Sequence, residues 1–246
     1  MTPHWLGAFI DLPPDALAPG VAFWATVTGY DAGRVSDADV EFPPLVPPEG
    51  DPYLFVQRLG SGQPRVHVDL FVTDVDGAVD DALSAGADLV DRREHAVLTS
   101  PGGFPLCLVA ATGAVRPPPR TWPGGHTSYV DQVCLDIPPS RYDAELDFWE
   151  AVTGWARRDP RPGSEFGRLT PGPDQPLQLL LQRLDDEQEA VSAHLDWSSS
   201  DHEAEVDRHV AAGAEVEGRF EGWTVLRDPV GLTYCVTRRQ TGDRPE

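Results

Sequence analysis

Apolar and polar positions alternate along Arg65-Val66-His67-Val68-Asp69-Leu70-Phe71-Val72 with the period of a strand. That spacing puts Val68, Leu70 and Val72 on one face and His67, Asp69 and Phe71 on the other. One face reads as core and the other carries chemistry. Upstream, Leu6 to Leu12 predicts another strand. Residues from about 15 to 28 then bring Leu17, Val21, Trp24 and Val27 to one side of a helix, closed by Gly29 where a left-handed residue is cheap. Residues 31 to 58 supply short strands ending in Tyr53-Leu54-Phe55-Val56. The order then restarts with a strand at 66 to 72 and a helix over about 75 to 85, for which Asp74 is the cap and Gly86 the stop. Strands near 87 to 91, 95 to 99 and 104 to 109 complete it. The pattern is strand, helix, strand, strand, strand, twice.

The whole pattern then recurs. Asp11-Leu12-Pro13-Pro14 returns as Asp136-Ile137-Pro138-Pro139, and Phe23-Trp24…Thr28-Gly29 as Phe148-Trp149…Thr153-Gly154, both displaced by 125 positions. The offset grows to 127 for His67 to His194 and for Ala85-Gly86-Ala87 to Ala212-Gly213-Ala214. It becomes 128 for Cys107 to Cys235. Ordered matches over the full length indicate two homologous domains, with helices of the second near 140 to 153 and 200 to 212. The expected division is a first domain at 1–112, a proline-rich linker at 113–127 containing Pro117-Pro118-Pro119, a second domain at 128–239 and a polar tail at 240–246.

Charge narrows the partners. With 40 acidic and 19 basic residues, the net charge of -21 repels phosphate backbones and anionic membrane surfaces, so nucleic acid and membrane are not expected partners. Cys107, Cys134 and Cys235 form no Cys-x-x-Cys pair and read as reduced thiols. No basic start followed by an apolar run, and no window near the ~20 apolar residues of a membrane span, is found; the expectation is a cytoplasmic protein. A phosphate-binding loop with its lysine, a Gly-x-Ser-x-Gly elbow and a His-Glu-x-x-His pair are all missing, which argues against phosphoryl transfer, triad hydrolysis and zincin chemistry.

The candidate chemistry lies in His67-x-Asp69 and His194-x-Asp196, each placing an imidazole and a carboxylate on one strand face. Such a pair either stiffens a sheet or meets a ligand, with the histidine titrating near neutrality and the aspartate orienting it. Cys107 and Cys235, set among apolar neighbours, read first as small core side chains. Trp149, Trp155, Trp197 and Trp223 concentrate in the second copy. Trp24 and Trp149 match as core residues, whereas Trp197 and Trp223 are candidates for an aromatic pocket wall.

Phe-Trp…Thr-Gly, His-x-Asp, Ala-Gly-Ala and Asp-Pro-x-Gly in this order resemble the vicinal oxygen chelate superfamily of glyoxalases, extradiol dioxygenases and bleomycin-type resistance proteins, most nearly its glyoxalase-like branch. The resemblance implies an α+β fold of two tandem domains, each of two βαβββ units forming an open curled sheet with ligands on its concave face. In metal-dependent members a first-strand ligand, a His from the strand opening the second unit and a Glu from the last strand bind the ion. Those positions fall on Gly7, His67 and Cys107 in the first copy and on Gln132, His194 and Cys235 in the second. The first expectation is therefore a metal-free protein that binds a small, planar or aromatic molecule through His67, Asp69, Gln132, Trp197, Trp223 and Cys235, as resistance or sequestration members do. The alternative is a glyoxalase-like lyase or dioxygenase-type enzyme using His194 and Asp196, with zinc as a possible ion at Gln132, His194 and Cys235. Two fused copies fit a monomer or a homodimer.

Overall fold

The computed structural model describes residues 2–32, 44–158, 160 and 163–242. The first repeat runs β1 (Trp5–Leu12), α1 (Leu17–Thr28), β2 (Asp31–Ala32), β3 (Pro44–Val46) and β4 (Leu54–Arg58). It continues with β5 (Arg65–Val72), α2 (Val75–Ser84), β6 (Asp88–Arg92), β7 (Ala96–Thr99) and β8 (Pro105–Ala110). Following a short β9 (Arg120–Thr121), the second repeat gives β10 (Thr127–Ile137), α3 (Tyr142–Thr153), β11 (Ala156–Arg158), β12 (Phe166–Thr170) and β13 (Gln178–Arg183). Its second module is β14 (Ser192–Ser199), α4 (His202–Ala211), β15 (Glu215–Arg219), β16 (Trp223–Arg227) and β17 (Thr233–Thr237). The βαβββ order predicted from the hydrophobic pattern is thus observed four times.

Local chemistry explains the boundaries. Gly29 and Gly154 adopt the left-handed conformation, at φ 66° and 63°, that ends α1 and α3 without a Cβ clash. Asp74 and Asp201 cap α2 and α4, each carboxylate accepting an N–H bond, from Gly77 and Ala204 respectively. In the proline-rich segment the chain makes one feature the pattern did not show. Arg120–Thr121 pairs antiparallel with Thr127 and Ser128, and the Gly125 N–H bonds the Trp122 carbonyl to close the turn. Of the polar tail, residues 243–246 lie outside the described residues.

Each repeat forms one open sheet. The first has eight strands in the order β2-β3-β4-β1-β5-β8-β7-β6, and the second nine, ordered β11-β12-β13-β10-β14-β17-β16-β15 with β9 beside β10. The parallel pairs β5/β8 and β14/β17 set the registers that matter for function. Strands β6 and β15 carry equivalent irregularities, between Leu89 and Asp91 and between Val216 and Gly218, that interrupt regular pairing at the sheet edges.

The chain divides into two compact units, each drawing on both repeats. One comprises Met1–Ala8, Val66–Arg116 and Val133–Ala193; the other comprises Phe9–Arg65, Pro117–Gln132 and His194–Glu246. In the first unit Trp149 of α3 is fully buried, meets the Phe104 ring edge-on at 5.9 Å and donates to Glu145 Oε2 at 2.8 Å. In the second, Trp24 of α1 is equally buried and donates to Asp228 Oδ2 at 2.9 Å. Both tryptophans therefore bury their rings and satisfy their single donor, as core tryptophans must. Among the described residues no helix is long and apolar enough to cross a membrane.

Candidate functional site

The strand period puts His194 and Asp196 on one face of β14, and the parallel register sets Asp196 directly against Cys235 of β17. Three unlike side chains therefore meet on one patch of sheet. His194 Nε2 lies 3.4 Å from Asp196 Oδ1, and one ligand atom from each of His194, Asp196 and Cys235 falls within 4.8 Å of the others. The first repeat builds the same arrangement: Asp69 opposes Cys107, His67 Nε2 lies 3.4 Å from Asp69 Oδ1, and the three ligand atoms again lie within 4.8 Å.

Both carboxylates are nearly inaccessible, Asp69 at 7% and Asp196 at 4% exposure, and Asp69 Oδ1 and Asp196 Oδ1 have no hydrogen-bond partner among the described residues. A buried carboxylate oxygen in that condition costs free energy unless something positive or protonated meets it. Burial pushes the Cys107 thiol upward, with the His67 imidazole working the other way. The first-strand and last-strand metal positions implied by the resemblance thus lack their usual residues, yet the aspartate two places after each histidine restores a carboxylate. An imidazole nitrogen, a carboxylate oxygen and a sulfur fit a borderline-soft divalent ion such as zinc far better than magnesium or calcium, which take oxygen ligands. They do not make the two-histidine, one-carboxylate set typical of non-haem iron oxygenases.

Other predicted residues are dispersed. Trp223 of β16 pairs with Thr237 while Val225 pairs with Cys235, so the face that holds the donors also holds Trp223, one step further along the strand. Its ring stacks on the half-exposed Phe220 at 5.1 Å. Trp197 does not join them. It points to the opposite face of β14, is 1% exposed, and meets the His209 ring of α4 edge-on at 4.6 Å. The expectation that Trp197 lines the ligand face is corrected by the strand period itself: an odd step from Asp196 must cross the sheet. Gln132 is buried on β10.

Several residues near the second triple escaped the sequence reading. Arg239 makes a two-pronged pair with Asp131, at 2.7 and 2.9 Å, and its Nε also reaches Thr237 Oγ1 at 3.2 Å. Burial pushes the Asp131 carboxyl upward and Arg239 opposes that shift. Behind the sheet, Glu205 of α4 accepts bonds from Ser128 at 2.6 Å and Arg208 at 2.6 and 3.1 Å, and pairs with His126 at 2.9 Å and His209 at 3.0 Å. Burial alone would raise the Glu205 carboxyl, but His209 and Arg208 outweigh it and hold the group well below the carboxylate range. The copy differences Ala78 to Glu205 and Ala82 to His209 were the available signal.

The profile of the glyoxalase-like domain family matches residues 8–109 and again 132–237. No curated protein matches the chain. Among solved structures, the 2,3-dioxygenase LapB from Pseudomonas sp. KL28 superposes with a TM-score of 0.68 at 14% identity, covering 100% of this chain and 95% of its own. A 4-hydroxymandelate synthase variant from Streptomyces coelicolor gives 0.64 at 16% identity, over 98% and 94% of the two chains. BphC, a halotolerant catechol dioxygenase, gives 0.62 at 14%, over 96% and 87%. At such identities these likenesses establish fold and leave chemistry to the site. With both repeats matched, the protein belongs to the glyoxalase-like domain family, within the vicinal oxygen chelate superfamily.

Proposed function

We propose that the protein is a glyoxalase-like enzyme, of the lyase or isomerase kind, acting on a small carbonyl compound at His194, Asp196 and Cys235 with the help of a divalent ion. The observation that carries this reading is the convergence of those three donors around a buried Asp196 oxygen that accepts no hydrogen bond. A metal-free binding cleft was the expectation while Gln132 and Cys235 stood in for the family's ligands; Asp196 supplies the missing carboxylate and shifts the balance to the enzyme. When bound, such an ion polarises a carbonyl oxygen as a Lewis acid. The single histidine in the set favours this non-redox chemistry over oxygen activation, although catechol dioxygenases are among the structural neighbours.

The chain's own residues hold and orient. Asp196 and Cys235 are fixed opposite one another by the β14/β17 ladder, so their spacing depends on backbone pairing rather than on loop conformation. Trp223 stacked on Phe220 offers a flat apolar wall to the carbon skeleton of a substrate. The test is turnover by zinc-loaded protein against a panel of small carbonyl compounds bearing a neighbouring oxygen, with His194→Ala as control. Zinc-dependent conversion lost in the variant supports the reading. Oxygen-consuming ring cleavage of a catechol, or tight tryptophan-quenching binding without conversion at any metal loading, contradicts it.

A further inference from the structure

We propose that the second repeat carries a subsite for a neutral amide, formed by Ser198 with the Asp131–Arg239 pair and lying one strand step beyond the donor triple. It rests on the reading of this cleft as a small-molecule site, and its test reads binding without metal, so that the two can fail separately. Ser198 follows Asp196 by two residues on β14 and therefore shares its face. Thr237 follows Cys235 in the same way on β17, and Trp223 of β16 pairs with Thr237. Beside them the Asp131 carboxylate accepts from Arg239 Nη1 and Nη2, and lies close enough to Asp196 and Ser198 for both to act on its charge. At the equivalent positions of the first repeat stand Leu6, Phe71, Val109 and Ala111. Positions that are apolar throughout in one repeat thus carry a carboxylate, two hydroxyls and a guanidinium in the other, and these meet on one patch of sheet.

Part of this set is satisfied internally and part is not. Thr237 Oγ1 donates to the Trp197 carbonyl at 2.7 Å and accepts from Arg239 Nε at 3.2 Å. The bonds of Arg239 to Asp131 and Thr237 use one hydrogen on each nitrogen and leave a further N–H on Nη1 and on Nη2. Ser198 is fully buried, and its Oγ has no hydrogen-bond partner among the described residues. An ion pair that only ties the segment after β17 to β10 explains Asp131 and Arg239 but not Ser198. A buried hydroxyl without a partner costs free energy that Phe71, its counterpart in the first repeat, does not. A ligand group that meets the hydroxyl removes that cost. Its chemistry follows from the surroundings: Ser198 both donates and accepts, Arg239 has N–H to give, and the Asp131 oxygens keep lone pairs. A neutral group with C=O and N–H side by side matches all of them. A carboxylate does not, since it brings no donor, Asp131 already offsets the Arg239 charge, and Asp196 lies close by. The Arg239 side chain keeps 20% exposure and Trp223 is half-buried, so the edge of the patch reaches solvent beside a flat indole suited to a planar amide.

Saturation-transfer NMR titrations of the metal-free, full-length protein with benzamide, benzoate and toluene, rings of one size that differ in the attached group, test the inference. The expected result is that benzamide binds at least about tenfold more tightly than the other two, the worth of a hydrogen bond or two made to groups already buried. This preference is read in the parent protein and so does not depend on how a variant folds. Ser198→Ala should lose about tenfold for benzamide and leave toluene unchanged, while Ser198→Thr, which keeps the hydroxyl, should retain the preference for benzamide. Equal or tighter binding of benzoate, a benzamide affinity indifferent to Ser198→Ala, or no benzamide binding up to its solubility limit overturns the inference. Any of these leaves zinc-dependent turnover at His194 standing if that is found. Benzamide binding that needs Ser198, in a protein with no zinc-dependent turnover, supports the subsite and removes the proposed reaction.

Discussion

Strands β5 and β14 present the same donors on one face and quite different residues on the other. On the other face, the first repeat has the buried Leu70, with small buried Ala78 and Ala82 on α2; the equivalent residues of the second are Trp197, Glu205 and His209, which bring a large indole and a buried ion network. The donors are indifferent to this change: both His–Asp separations are 3.4 Å. Alternation along a strand lets one face be rebuilt while the other keeps its geometry, because backbone pairing, not the packing behind, sets the register. The surroundings of the donors diverge more gently. His67 is the more buried histidine, at 7% side-chain exposure against 16% for His194, while Cys107 is the more open cysteine.

The largest break in this comparison should come from Glu205→Ala. It strands Arg208 and two histidines around an empty position, and unfolding measurements should show a loss of about 3–5 kcal/mol. A cost near zero would mean the network is ornament to an apolar core. Next, Trp197→Leu installs the first repeat's residue; a loss of about 2 kcal/mol from the void is expected, with zinc content unchanged. A change in zinc content would tie the two faces together.

His209 offers a finer probe. Burial holds its imidazole below the ordinary value, with Glu205 pulling the other way, so the folded protein resists protonating it. The stability this contributes is present above the unfolded value of about 6.5 and is lost as pH falls below it. His209→Gln should flatten that part of the stability–pH curve relative to the parent; an unchanged curve contradicts the assignment. Where the repeats agree, effects should agree: Asp74→Ala and Asp201→Ala remove equivalent caps, and each should cost about 1 kcal/mol. A difference well beyond that would show that the caps are not equivalent in context.

Much of the fold was legible because it rests on local signals used twice. Gly29 and Gly154 at left-handed stops, Asp74 and Asp201 at caps, and apolar alternation on β5 and β14 are short-range devices, and the repeat made weak matches additive. The site was half legible. The i, i+2 spacing of His-x-Asp joins those two residues from sequence alone, but Cys107 and Cys235 join them only through the parallel register, which depends on pairing across a long connection. The same spacing carried the evidence against Trp197 as a ligand-facing residue. The Glu205 network was opaque because its members come from the β9 turn, β10 and α4, and only folding brings His126 to Glu205.

The most direct measurement of the central claim, that His194, Asp196 and Cys235 hold an ion together, is X-ray absorption at the zinc edge of the loaded protein. The account predicts a single sulfur at about 2.3 Å, with the remaining ligands nitrogen or oxygen at about 2.0–2.2 Å. Zinc surrounded only by nitrogen and oxygen would contradict it, because Cys235 would then be a core residue beside the site rather than part of it.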